Sequence, residues 1–372
     1  MDFTGLKIEI KEHVGEILES MEKVLERSDF IEGQEVKELE LALEGLTGAQ
    51  YCVSCASGTD ALWLALKSIG AGPGDAVLVS PFSFIASADV ISRAGATAVF
   101  VDIDGDSWCI DSNRIRAAMF FARGIGLNPK AIIGVDIFGV PCDYISLKDI
   151  ARDSGAVVIA DAAQSLGGSR FGISVGNLTE ISCTSFFPTK PLGCFGDGGA
   201  VFCQSIERRD RIRSLKAHGK KTKRDKSEVS YEEIGTNSRL DTLQAGILCA
   251  KLKWFEMDNF KRNAIAEKYR GTLKNVQFQA VPTDGVSAYA QFGILSARKN
   301  IISETLLQRG IPSRVYYARG IHEERAFRML NRREETFPIT ERVCREILCL
   351  PMHSYLKEEE VDLVCEVVNS VS

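Results

Sequence analysis

Seven short apolar runs recur between positions 51 and 203, separated by stretches of helical periodicity: YCVSC (51–55), AVLVS (76–80), TAVFV (97–101), AIIGV (131–135), AVVIA (156–160), SCTSFF (182–187) and GAVFC (199–203). Most are apolar throughout instead of alternating with polar residues. That is the pattern of strands buried on both faces, in a mainly parallel sheet covered by helices. Between them, TDALWLALKSIG and CDYISLKDIARDSG space their apolar residues as helices do and close on glycine. This order predicts an α/β domain whose working edge lies at the strand C-termini.

At 372 residues the chain exceeds what one hydrophobic core usually organises. Residues 1–250 read as an N-terminal segment leading into a helix, then the large α/β domain. Residues 251–372 read as a bridging helix and a small α+β domain, the helical run extending from about Leu240 to Leu273. In that second part SAYAQFGILSA has strand character, and ISETLLQRG and EEEVDLVCEVVNS have helix character. The lysine- and arginine-rich stretch from Arg208 to Lys226 reads as a solvated helix end and loop, the alternative being contact with a diphosphate or uronate.

A net charge of −5 argues against a general nucleic-acid surface. No apolar stretch has the length of a membrane span, and the N-terminal residues lack a signal-peptide core. Eleven cysteines, scattered and mostly within apolar runs, suit free thiols in a reducing cytoplasm better than a disulfide framework. Cys52 and Cys55 form a single C-x-x-C without the second pair of a structural zinc site, and the four histidines (13, 218, 322 and 353) lack metal-ligand spacing, so no metal is expected.

Three constellations sit on strand ends. After YCVSC, Ala56-Ser57-Gly58-Thr59 opens a helix; free N–H groups and the positive dipole end suit a phosphate, Gly58 admits close backbone approach and Thr59 adds a hydroxyl. The other reading makes Ser57 or Thr59 a simple helix cap. Neither a nucleotide P-loop spacing nor a G-x-G-x-x-G follows a strand. After AVVIA comes Asp161, with Gln164 three residues on; a carboxylate there can hold a positive ring nitrogen, or it can cap the following turn. After SCTSFF comes Lys190, with Phe186 and Phe187 before it and Gly193, Gly196, Gly198 and Gly199 after it. Partial desolvation of such an amine lowers its pKa and makes it a candidate Schiff-base former. A phosphate cradle, an acid for a ring nitrogen and an amine are the three partners that pyridoxal 5′-phosphate needs.

SGTDAL, DAAQS, SFFPTKPLGCFGDGGA, GTNSRLDTLQA and LPMHSYL together resemble the DegT/StrS group of nucleotide-sugar aminotransferases, across nearly the whole chain. The resemblance implies the type I fold of pyridoxal-phosphate-dependent transferases: a mainly parallel seven-stranded sheet with flanking helices plus a smaller C-terminal α+β domain. It places Lys190 on the cofactor-bound lysine, Asp161 on the partner of the pyridine nitrogen, and Gln164 near the ring oxygen. It also places Gly58, Thr59 and Ser185 on phosphate contacts and Phe84 on the aromatic that stacks on the ring. Asn237 and Arg239 match residues that cross a homodimer interface into the neighbour's site. On the substrate side, Tyr316, Tyr317 and His322 remain in RVYYARGIHEERAF, whereas Ala318 and Gly320 replace two prolines of the family pattern and Ser354 replaces another in LPMHSYL. That loop is therefore expected to take its own path. Trp63 is given only a packing role.

The activity so implied is transfer of an amino group from L-glutamate to a nucleotide-linked keto-sugar, a UDP-linked 3-keto sugar being favoured over a UDP- or dTDP-linked 4-keto sugar. Two other classes stand beside it. A sugar dehydratase of the same family typically has histidine in place of the lysine, so Lys190 argues against it. A non-catalytic regulatory paralogue would lack a yellow colour bleached by glutamate.

Overall fold

The computed structural model describes residues 1–222, 229–327 and 336–372. The seven predicted strands form β1 (Tyr51–Cys55), β2 (Asp75–Val79), β3 (Thr97–Phe100), β4 (Asn128–Val135), β5 (Val157–Asp161), β6 (Ile181–Ser185) and β7 (Gly199–Cys203). They make one sheet in the order β1-β7-β6-β5-β4-β2-β3. Only β7 runs against its neighbours, pairing antiparallel with both β1 and β6; the remaining pairs are parallel.

Because six strands point one way, Cys55, Val79, Phe100, Val135, Asp161 and Ser185 end on a common edge, and β7 contributes its first residue there. Cys55 and Ser185 both lie opposite Gly199, while Val135 lies opposite Asp161. The register therefore gathers the three strand-end motifs at one place.

Helices cover both faces, as the doubly apolar strands require. Ser57, Asp111, Asp143 and Ser205 each start a helix by accepting a backbone N–H on the side chain, a contact worth about 1 kcal/mol per cap. The main core runs from Leu64, Leu66 and Leu78 through Ile132, Ile133 and Ile159. Trp63 is buried within it and carries Arg93 over its ring at 4.7 Å.

A 31-residue helix, Thr242–Thr272, links this body to a second, smaller core. There β8 (Gln277–Phe278), β9 (Phe292–Leu295) and β10 (Ile347–Leu350) form an antiparallel sheet in the order β8-β9-β10. Tyr269, Phe292, Ile294, Leu348, Val364 and Val368 pack together in its core. The N-terminal helix Leu6–Arg27 lies along the linking helix, pinned by Lys251, whose Nζ is 2.8 Å from Glu9 Oε1 in a buried pair.

The basic stretch is only partly within the described residues, Lys223 to Lys226 lying outside them. Upstream, its charges are engaged by the fold. Arg208 donates to the Ser68 carbonyl at 2.8 Å and pairs with Glu180 at 2.7 Å, and Arg213 pairs with Glu40 at 3.1 Å. All eleven cysteines are free, and ten are buried; burial pushes the Cys55 thiol up to about 12. Among the described residues, no helix is long and apolar enough to cross a membrane, and no group of three or more His, Cys, Asp or Glu is placed to hold a metal ion.

Candidate active site

At the β1 end, the chain leaves Cys55 and enters the helix Gly58–Ser68. Ser57 is indeed a cap, its Oγ accepting the Asp60 N–H at 3.0 Å. Among the described residues the N–H groups of Gly58 and Thr59 have no acceptor, so cap and cradle coexist. Ser238 ties this turn down by accepting the Ala56 N–H at 3.1 Å. The turn crosses above Gly199 to reach β6, so closely that a Cβ on Gly58 would stand 2.6 Å from Ser185 Cβ. A side chain at position 199 would strike the Ser57 carbonyl. Gly58 and Ser185 thus meet at the tip of β6, with Thr59 next along the helix start.

Asp161 is the last residue of β5 and is buried. Its Oδ2 accepts the Ser87 hydroxyl at 2.6 Å, and its Oδ1 accepts the Ala163 N–H at 3.3 Å. Burial raises its pKa, opposed by these donors and by the charge of Lys190. Gln164 sits in the next turn, its Oε1 accepting the Phe138 N–H at 2.7 Å. Its NH2 is left as the donor, facing the Tyr317 hydroxyl.

Lys190 follows β6 in a tight turn, its N–H donating to the Phe187 carbonyl at 2.9 Å. The residue is half-buried, yet enough protein surrounds the amine that desolvation lowers its pKa, with Asp161 pulling the other way. On its far side lies a small polar cavity bordered by Arg262, His353 and Tyr355, the last two from the LPMHSYL motif.

A cleft of ≈ 340 Å³ opens beside these groups, lined by Ser83, Phe84, Ile85, Tyr317, Arg319 and Glu324 among others. Phe84 is 55% exposed, an aromatic face left open, and its ring lies 6.4 Å from that of Tyr317. Tyr316 packs against Tyr317 at 5.8 Å and against Phe3 at 6.5 Å. Burial raises the pKa of Tyr317, with the charge of Asp161 adding to it, so the phenol stays neutral.

The structure does not bring His322 to the cleft. Its ring is buried against Phe337 at 4.7 Å and Phe100 at 6.5 Å, because the segment after Gly320 folds back on the end of β3. Asn237 is exposed and Arg239 half-buried; among the described residues neither hydrogen-bonds to Lys190, Asp161 or the cradle.

Two groups went unmarked in the sequence reading. Ser87, in PFSFIASADV, reaches Asp161. Asp136, immediately after β4, accepts the hydroxyls of Ser165 and Tyr144 at 2.6 Å each and the Cys142 N–H at 2.8 Å. Burial pushes Asp136 up to about 6. The available signal was an acid directly after an apolar strand, the same signal that marked Asp161.

The model of the DegT/DnrJ/EryC1/StrS aminotransferase family matches residues 11–369. The chain belongs to this family. It is 35% identical to the UDP-2-acetamido-2-deoxy-3-oxo-D-glucuronate aminotransferase of Pseudomonas aeruginosa, over 98% of each chain. The crystal structure of a DegT DnrJ EryC1 StrS aminotransferase from Brucella abortus matches with a TM-score of 0.95 at 37% identity, covering 100% of this chain and 99% of that one. NtdA from Bacillus subtilis, solved with bound cofactor PMP, matches with a TM-score of 0.89 at 26% identity, covering 100% of this chain and 85% of that one. This family member is an aminotransferase dependent on pyridoxal 5′-phosphate. Its own residues fit the cofactor: two unpaired N–H groups at a helix start for a phosphate, a buried carboxylate for a ring nitrogen, and an amine whose pKa desolvation lowers.

Proposed function

We propose that this protein transfers an amino group from L-glutamate to a keto-sugar carried on a nucleotide, with a UDP-linked 3-keto sugar as the first choice, and that it works as a homodimer in the cytoplasm. The observation that carries the reading is the convergence of Lys190 and Asp161 at neighbouring strand ends, burial pushing each away from its charged form while each charge favours the other.

Pyridoxal 5′-phosphate, when bound, supplies an aldehyde carbon that exchanges amines and a conjugated ring that takes up the electron pair of a broken C–H bond. The protein's work is to hold it and move protons. Gly58 and Thr59 offer N–H groups, and Thr59 and Ser185 hydroxyls, to the phosphate. Asp161 would hold a proton on the ring nitrogen, the Gln164 NH2 would donate to the ring oxygen, and the Phe84 ring would pack on the ring face. The Lys190 amine, its pKa lowered by desolvation, would be the group that holds the aldehyde and, when free, would carry a proton between the donor α-carbon and the cofactor.

Support for the sugar side comes from the cleft and from the relatives. Tyr317 offers aromatic surface in the cleft, with Tyr316 packed against it, and the exposed Arg319 guanidinium suits a diphosphate or uronate. The Pseudomonas relative is named for a UDP-linked 3-oxo uronate. Asn237 and Arg239, which make no hydrogen bond to Lys190, Asp161 or the cradle of their own chain among the described residues, are assigned to the pocket of a second copy; Ile234 nearby is 90% exposed, apolar surface that an interface would cover. Free thiols suit a reducing cytoplasm.

The test is to offer purified protein L-glutamate with UDP- and dTDP-linked 3-keto and 4-keto sugars and to identify the aminated product by mass spectrometry. An aminated UDP-linked 3-keto sugar is the expected product. Turnover of simple keto acids with no keto-sugar aminated would overturn the proposal.

A further inference from the structure

Asp161 serves a protonated ring nitrogen only while it is ionised, yet it sits in a buried place that opposes ionisation. The shortest contact countering this is the Ser87 hydroxyl, 2.6 Å from Oδ2, a length typical of a charge-assisted O–H···O⁻ bond. Ser87 is itself buried and lies 2.8 Å from the equally buried Ser83 Oγ. Ser87 has one hydroxyl proton, and an ionised Asp161 has none to offer, so Ser87 donates to Asp161 and Ser83 must donate to Ser87. Ser83 in turn forms part of the cleft wall beside Phe84.

We propose that Ser87, backed by Ser83, is a positioning residue for the amine transfer: the two hydroxyls form a one-way donor chain, from the cleft wall to Oδ2, that keeps Asp161 ionised and aimed at the ring nitrogen of the cofactor. This rests on Asp161 being the partner of that nitrogen. The other titratable groups facing Asp161 are Lys190, Tyr317 and Cys183. Burial keeps the phenol and the thiol neutral, so removing the Ser87 hydroxyl alters the field at Asp161 without changing their charge.

The experiment is an absorbance pH titration of resting holoenzyme, paired with the single-turnover rate of cofactor bleaching by glutamate, for wild type, Ser87→Ala, Ser87→Thr, Ser83→Ala and Asp161→Asn. A ring-nitrogen proton repels a second proton on the same conjugated system, so weakening Asp161 moves the spectral midpoint to higher pH. Ser87→Ala is expected to raise the midpoint by about half a unit or more and to slow bleaching about 10- to 100-fold, the range for losing a hydrogen bond to a charged group. Ser83→Ala is expected to do less in the same direction, and Ser87→Thr, which keeps the hydroxyl, to restore both readouts. An unmoved midpoint in both Ser87→Ala and Ser83→Ala overturns the chain, even if bleaching slows. An unmoved midpoint in Asp161→Asn instead overturns the assignment of Asp161, so the two failures are distinguishable.

Discussion

Replacing Gly58 with alanine adds one methyl group at the junction of the cradle and β6. The backbone there is the start of a helix and needs no left-handed φ, so alanine is conformationally acceptable and glycine's extra freedom is not the issue. The methyl itself is. It would stand 2.6 Å from Ser185 Cβ, 3.1 Å from Ser185 Oγ and 3.2 Å from Ser185 Cα. Carbon pairs rest at about 3.5–4.0 Å, so the helix start and the tip of β6 must part by about 1 Å. Overpacking of this kind costs about 1–3 kcal/mol. Both surfaces that part carry groups assigned to the phosphate, so the cost is expected in cofactor affinity, about 5- to 150-fold at 1.4 kcal/mol per decade. The assay is titration of apoprotein with pyridoxal 5′-phosphate, followed by absorbance. Gly45→Ala is the control: it lies within the helix Gln34–Thr47, and its new methyl meets nothing within 4 Å, so affinity is expected unchanged and stability raised by about 0.5–1 kcal/mol. Wild-type cofactor affinity in Gly58→Ala, with the control behaving as described, would refute the idea that this close approach builds the cradle.

Other consequences follow from buried charges. Lys251→Met leaves Glu9 buried without its partner and is expected to cost about 3–5 kcal/mol in denaturant unfolding; the double variant with Glu9→Gln is expected to recover most of it, and an additive double variant would deny the coupling. Asp136 has its folded pKa raised from 3.8 to about 6 by burial, so the folded state holds its proton longer than the unfolded chain does. Stability from this group is therefore lost as pH rises from about 4 to about 6, by about 3 kcal/mol. Comparing wild type with Asp136→Asn across that window, the variant should gain by this amount relative to wild type; a constant difference contradicts the burial argument.

The strands were legible because apolarity on both faces leaves little choice but a covered sheet, and the three strand-end motifs because each carries a residue that packing does not need. The strand order was not legible. Inserting β7 between β1 and β6 depends on pairings such as Cys55 with Gly199, distant in sequence and silent in local pattern. Ser87 was hidden for a similar reason: a serine near a helix start reads as a cap, and its partner Asp161 is 74 positions away. His322 shows the opposite error. Motif position suggested a substrate contact, but Phe100, Phe327 and Phe337 form an aromatic cluster, and the neutral imidazole packs into it, burial lowering its pKa.

The role of Lys190 is tested most directly by trapping. Holoenzyme reduced with borohydride, digested and analysed by mass spectrometry is predicted to carry the reduced cofactor on Lys190 alone, and Lys190→Ala is predicted to show no bleaching by glutamate. A tag on another lysine, or bleaching at the wild-type rate in Lys190→Ala, would contradict the account.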